Sequence, residues 1–331
     1  MKTALAPLLV TALSFAVVAP AAAQAQDVDS LYRAGATAFQ QQRVFEAIEI
    51  LGRVAAADPG YRDVQLLLGQ SYLVAGLHRA AKQHFERAFE ADPSNGLAAF
   101  LLGLSLHQAA RYYEAAEVLA QAHALAPENP HPLIYRSLAL LKLGRLDEAR
   151  SEIDSALAIA PREATARAAA AEVELAQGQF DRAGERLETL LREAPENVEY
   201  RLLYARTLYE GGRPSDAVPV LRQLADAPPP RSDVLYLLAQ ALLRSGDTEA
   251  GRAALARFKE QKAVEERMRV LEAKVSTEPD DAEARLEFVR LLLDHGLRNA
   301  AVPHLAVLQK ALPGDPRVRQ LGLELGRRPG G

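Results

Sequence analysis

The chain has no cysteine, no tryptophan and only two methionines among its 331 residues. The first absence removes disulfides, thiolate nucleophiles and cysteine-ligated metals. Basic residues are not in excess either. The net charge is −4 with no long run of one sign, whereas neutralising phosphates requires a basic surface, so nucleic acid is not an expected partner. No glycine-rich phosphate loop, His-Glu-x-x-His pair or Gly-x-Ser-x-Gly elbow occurs. None of His78, His84, His107, His123, His131, His295 and His304 has another histidine four residues away, and they read as surface or packing residues. Acidic pairs such as Glu265-Glu266 and Asp280-Asp281 fit solvated faces and a helix cap. The expectation is a protein that is not an enzyme, with no cofactor and no metal. What is present is core material: 49% hydrophobic and 25% charged residues exclude wholesale disorder.

The N-terminal stretch stands apart. It opens with Lys2, runs apolar from Leu5 to Val18, breaks at Pro20 and then offers small residues at Ala21, Ala23 and Ala25. That layout predicts a secretory signal peptide over residues 1–25, cleaved after Ala23 or Ala25. An uncleaved anchor fits less well, because the apolar run is short for a bilayer span. No cysteine follows the run to carry a lipid. The protein is therefore expected in the periplasm, without stable membrane insertion once the leader is removed.

From there a single event repeats. Pro59, Pro93, Pro127, Pro161, Pro195 and Pro229 are each 34 residues apart, Pro279 follows after 50, and Pro313 after another 34. With the proline at position 32 of a 34-residue unit, position eight reads Gly35, Gly69, Gly103, Ser137, Ala171, Ala205, Ala239. Position twenty reads Ala47, Ala81, Ala115, Ala149, Ala183, Ala217, Gly251. Small residues there let two antiparallel helices approach closely. Position fifteen is mostly glycine, from Gly76 to Gly246, which suits the left-handed turn ending a first helix. The proline stops the second helix. Asn95, Asn129, Asn197, Asp281 and Asp315 then cap the next one, with Pro130 and Pro316 at its first position.

With Leu68-Gly69, Tyr72, Gly76, Ala81, Phe85, Ala88 and Pro93 in residues 62–95, the pattern resembles the tetratricopeptide repeat family. The resemblance implies an all-α, right-handed α-solenoid of about eight 34-residue helical hairpins, one domain over residues 26–331. Its units are expected at about 28–61, 62–95, 96–129, 130–163, 164–197, 198–231, 232–281 and 282–315, with a solvating cap helix over 316–326. The seventh unit carries 16 extra residues between Phe258 and Pro279. With no glycine or proline inside, they predict a second helix prolonged by up to about 24 Å. Val264, Met268, Leu271 and Val275 keep one side of it apolar. That stripe either packs on the last repeat, which is the commoner use of such a stripe, or offers a surface for docking or self-association through the 258–278 helix.

The resemblance also implies a concave groove lined by positions two, five, nine, twelve and thirteen of the first helices. The candidate partner-binding residues are then Tyr32, Phe39, Leu66, Gln70, Leu73, Phe100, Leu104, His107, Ile134, Leu138, Leu141, Arg206, Tyr209, Tyr236 and Arg244. The early part reads as an apolar trough, while the later part, with Glu172, Glu199 and Glu210, is mixed and charged. Two readings of the trough stay open: it takes an apolar or amphipathic peptide, or its side chains pack against neighbouring first helices. The carboxylate clamp of chaperone-binding family members needs Lys and Asn at positions five and nine, and Leu66/Gln70, Phe100/Leu104 and Ile134/Leu138 do not supply it. The function so implied is an exported, non-catalytic scaffold for a protein or peptide partner, in assembly or secretion machinery of a bacterial envelope. A holdase for amphipathic chains and an accessory subunit of an envelope polysaccharide synthase are the alternatives.

Overall fold

The computed structural model describes residues 21–326, with side chains from Asp27 onward; most of the expected signal segment lies outside the described residues. Among the described residues there is no strand. Helices α1 (Ala21–Gln40) and α2 (Val44–Ala57) form a first hairpin, α3 (Val64–Val74) and α4 (His78–Ala91) a second, and α5 (Gly96–Gln108) and α6 (Tyr112–Leu125) a third. The pairs α7 (His131–Lys142) with α8 (Leu146–Ile159), and α9 (Ala164–Ala176) with α10 (Phe180–Glu193), follow. Next come α11 (Val198–Glu210) with α12 (Pro214–Ala225), and α13 (Ser232–Arg244) with α14 (Thr248–Thr277). The last hairpin is α15 (Ala282–Asp294) with α16 (Arg298–Ala311), covered by α17 (Pro316–Gly326). The chain is a solenoid of helical hairpins, and its core runs as successive clusters from Ala38 to Leu321.

The small residues explain how each hairpin closes. At position 24, Leu51, Phe85, Leu119, Ile153, Leu187 and Leu221 are fully buried. Each lies over the small residue at position eight of the partner helix. A Cβ on Gly35 would sit 2.7 Å from Leu51 Cγ, and one on Gly103 2.6 Å from Leu119 Cγ, inside van der Waals contact. In the fourth hairpin Ser137 uses the same closeness, its hydroxyl donating to the Ala149 carbonyl at 2.7 Å. Asn95, Asn197 and Asp281 accept from backbone amides of the helices they open, and Asn129 accepts from His131 N at 3.0 Å.

The turn between the two helices of a hairpin takes a positive φ, at Gly76, Gly144, Gly178, Gly212, Gly246 and Gly296. Gln42 and Ala110 occupy the same turn with φ of 59° and 58°, although a side chain there is crowded against its own carbonyl. Replacing Ala110 with glycine relieves that crowding. It is expected to raise stability by about 1 kcal/mol, read as a higher melting temperature by circular dichroism; a lowered one would mean the turn is not left-handed.

The insertion is one continuous helix, as the run predicts. α14 spans 30 residues, about 45 Å at 1.5 Å per residue. Its first half belongs to the seventh hairpin, whose core ends at Ala254 and Phe258. Its second half opens the core of the last hairpin with Met268, Leu271 and Val275. The apolar stripe is thus used inside the chain: Leu271 and Val275 are buried under α15–α17, and Val264 and Met268 are half-covered. This strut carries the C-terminal hairpin round to face the N-terminal ones. Lys310 Nζ lies 3.6 Å from Glu49 Oε2, linking α16 to α2. A cavity of about 650 Å³ separates Tyr72, His78 and Arg79 from Arg269, Glu272, Arg285 and His304. An exposed ion pair contributes little, so this closure is held weakly.

Candidate functional site

The first helices of neighbouring hairpins touch one another more closely than the second helices do, most of all α7 with α9 and α5 with α7. That difference curves the stack and sets the first helices on its inner face. Along the N-terminal half of this face the side chains largely interlock. Phe100 packs 5.9 Å from the Tyr135 ring and 6.2 Å from His131, and His107 lies 5.3 Å from Tyr112. Leu73, Leu138 and Leu141 rest partly buried on the same core, and Tyr32 and Phe39 on the cluster before it. Gln70 and Leu104 are half-buried as well.

Two expected groove residues are corrected. Ile134 is 0% and Leu66 6% exposed, so neither lines a surface. The physical reason is the tight approach of the first helices in this half of the stack, which carries position five of α3 and α7 into the seam between neighbours. Tyr236, at the same position but 45% exposed, instead leans on Phe258 of α14, ring centroids 5.1 Å apart.

Between α9, α11 and α13 the inner face opens into a cavity of about 520 Å³. Its apolar wall is Leu202, Leu203, Leu237, Tyr200 and Tyr209. Most of its charges are paired. Arg206 Nε donates to Glu210 at 2.7 Å, and Arg231 bridges Glu199 at 2.5 Å and Asp233 at 2.8 Å. Arg244 covers the Tyr209 ring from 4.6 Å and donates to its carbonyl. The Glu199–Arg231 bridge belongs to a ladder along the solenoid, in which a carboxylate at position two pairs with an arginine about one repeat later. Asp29–Arg62 and Glu283–Arg317, both 2.8 Å, are its other rungs.

Glu172 and Glu174 show what the floor of the cavity is like. Glu174 faces the hairpin interior, fully buried, and Arg186 holds it through two bonds of 3.0 and 2.7 Å while Arg182 stands at 3.1 Å. Glu172, on the opposite side of α9, lines the cavity and has no such partner. Burial pushes its carboxyl pKa up, against the lowering effect of the Lys142 and Arg206 charges. Lys142, at the cavity's edge, is likewise outside any ion pair.

Of the residues expected from the sequence, the structure gathers Glu172, Glu199, Arg206, Tyr209 and Glu210 in this cavity, with Arg244 stacked behind. Leu202 and Gln240 were missed, although they occupy positions five and nine and follow the same rule. Arg231 sits at the last position of a unit; only its recurrence about 33 residues from an acidic residue signals it. Among the described residues no group of three or more His, Asp or Glu side chains could hold a metal ion, and no helix is long and apolar enough to cross a membrane.

A tetratricopeptide repeat family model matches residues 38–104, 174–232 and 211–275, and a second model of that description matches 136–185. A model described as anaphase-promoting complex, cyclosome, subunit 3 matches residues 75–156. No curated protein matches the chain. Among solved structures, a tetratricopeptide repeat protein from Parabacteroides merdae is 16% identical with a TM-score of 0.60, over 71% of this chain and 93% of its own. The Cut9-Hcn1 hetero-tetramer of the anaphase-promoting complex gives 0.50 at 14% identity, over 90% of this chain and 55% of its own. These two likenesses are of fold.

Proposed function

Because the chain belongs to the tetratricopeptide repeat family, we propose that it is a non-catalytic scaffold that binds a partner protein along its inner face, at the cavity between α9, α11 and α13. The observation that carries this is the cavity itself. It combines an aliphatic and tyrosine-lined wall with fixed ion pairs and two charges left without partners. Such a mixture suits a peptide segment, whose apolar side chains fill the wall while its polar groups meet the charges. The N-terminal half of the inner face, with its side chains interlocked, is the lesser contributor. Lys2, the apolar run and the small residues at Ala21, Ala23 and Ala25 support export to a bacterial envelope, with partners in its assembly or secretion machinery.

Photo-crosslinking in the native cell tests this, with the probe placed at Tyr209 and, as a control on an outer helix, at the exposed Glu185. One dominant adduct from Tyr209, absent from Glu185, is expected. Equal adducts from both positions, or none, would overturn the groove as the binding face. Many unrelated exported chains crosslinked at Tyr209 would replace a scaffold with a holdase.

A further inference from the structure

Around the groove cavity Arg206, Arg231, Glu199, Glu210 and Asp233 are all held in ion pairs, and the charges outside any pair are Lys142 on α7 and Glu172 on α9. They belong to neighbouring first helices yet are too far apart to pair. A third polar group stands beside them. His107, on α5, has its Nε2 buried with no hydrogen-bond partner. Burial and the nearby Lys142 charge both push its pKa down. Three successive first helices therefore each bring one polar group without a protein partner to this region. Glu172 is half-buried, so its unpaired charge costs stability, whereas Lys142 stands exposed; complementary charges from a ligand would pair both.

The spacing defines the ligand. Packed helices lie about 8–10 Å apart, which sets Lys142 and Glu172 on the order of 10 Å from each other along the groove. In the extended, three-fold polyproline II conformation a chain advances about 3.1 Å per residue, so side chains three residues apart span about that distance and point the same way. We propose that Lys142 and Glu172 form a two-point recognition site for an extended segment of the partner protein, one that carries an acidic and a basic side chain about three residues apart. The acid faces Lys142, the base faces Glu172, and an apolar side chain of the segment fills the wall made by Leu203 and Leu237. This rests on the inner face being the binding face and adds its chemical specificity. Segments with the same charge at both points are rejected, because each would set like charges together.

The test uses the full chain and immobilised twelve-residue peptides of Gly and Ser with one Leu, one Asp and one Lys. Only the Asp–Lys separation changes, from one to six residues. The expected result is strongest retention at separations near three. Glu172→Gln should lower it about tenfold and erase the preference for Lys, and Lys142→Met should do the same for Asp. The double reversal Lys142→Glu/Glu172→Lys should restore it, with helix content by circular dichroism confirming that each variant is folded. Retention that ignores separation and both substitutions would overturn the two-point site. So would failure to retain any peptide while Tyr209 still yields a single crosslinked partner. Equal crosslinking from Tyr209 and Glu185 would instead overturn the underlying groove reading.

Discussion

Phe85→Ala is expected to lower stability by about 3–5 kcal/mol, the range for removing an aromatic side chain from a packed core. The ring is fully buried among Leu66, Ala81, Ala98 and Leu102, and it lies against Gly69, where a Cβ would overlap it. No larger neighbour can turn into the space, because position eight of that hairpin has no side chain. Along the solenoid each hairpin packs chiefly on its neighbours, so the loss concentrates in α3–α5. Hydrogen exchange should show faster opening there and little change in α11–α13. The fifth and sixth hairpins indicate how to repair it, since they fill the same space with alanine under leucine at Ala171/Leu187 and Ala205/Leu221. The pair Gly69→Ala/Phe85→Leu should therefore recover most of the loss, whereas Gly69→Ala alone overpacks and costs about 1–3 kcal/mol. A loss below 1 kcal/mol for Phe85→Ala would contradict this packing.

The second large effect is acid destabilisation through His304. This side chain is 8% exposed, its ring edge-on to Phe288 at 4.8 Å, and its Nδ1 lies 3.2 Å from Arg285 Nη1. Arg285 is itself held by the Pro279 carbonyl at 2.9 Å. A neutral ring accepts the arginine's hydrogen bond; a protonated one would set two donors and two positive charges face to face. Burial, reinforced by Arg285, lowers the His304 pKa from 6.5 to about 4. The folded state thus binds fewer protons than the unfolded state between those values. Stability is full above pH 6.5, falls as the pH drops towards 4, and changes no further below it. The loss through this window is about 3 kcal/mol at 1.36 kcal/mol per pKa unit. Urea unfolding at pH 7 and pH 4.5, followed by hydrogen exchange over α15 and α16, measures it. His304→Gln should remove most of the difference. An unchanged pH dependence in that variant would show that His304 is not the group responsible.

His304 also shows where a linear reading stops. It shares position 23 with His84, and Arg285 shares position four with Gln65. His84 Nδ1 meets Gln65 Oε1 at 2.8 Å, and Gln65 donates to the Pro59 carbonyl at 2.9 Å, as Arg285 does to Pro279. One latch, built twice, ties a repeat to the proline turn before it. The matching positions were visible in the 34-residue frame, but nothing in the residue types announced that His304 would be buried and His84 half-buried rather than exposed.

The sequence by itself determined the hairpins. Glycine at position fifteen, the stopping prolines, the Asn and Asp caps and the small residues at eight and twenty act within one or two helices, through backbone sterics and local hydrogen bonds. Such effects are written in the order of residues, and so was the length of α14. Tertiary structure alone decided what the inner face became. The tilt between neighbouring first helices is a small quantity accumulated over many contacts; it buried Ile134 and Leu66, interlocked Phe100 with Tyr135, and opened a cavity between α9, α11 and α13. Whether a charge stays unpaired is likewise set across helices, by distances no spacing encodes. Glu174 and Glu172, two residues apart on one helix, end as a neutralised core carboxylate and an unpartnered groove carboxylate because α10 supplies arginines on one side and nothing crosses the cavity on the other.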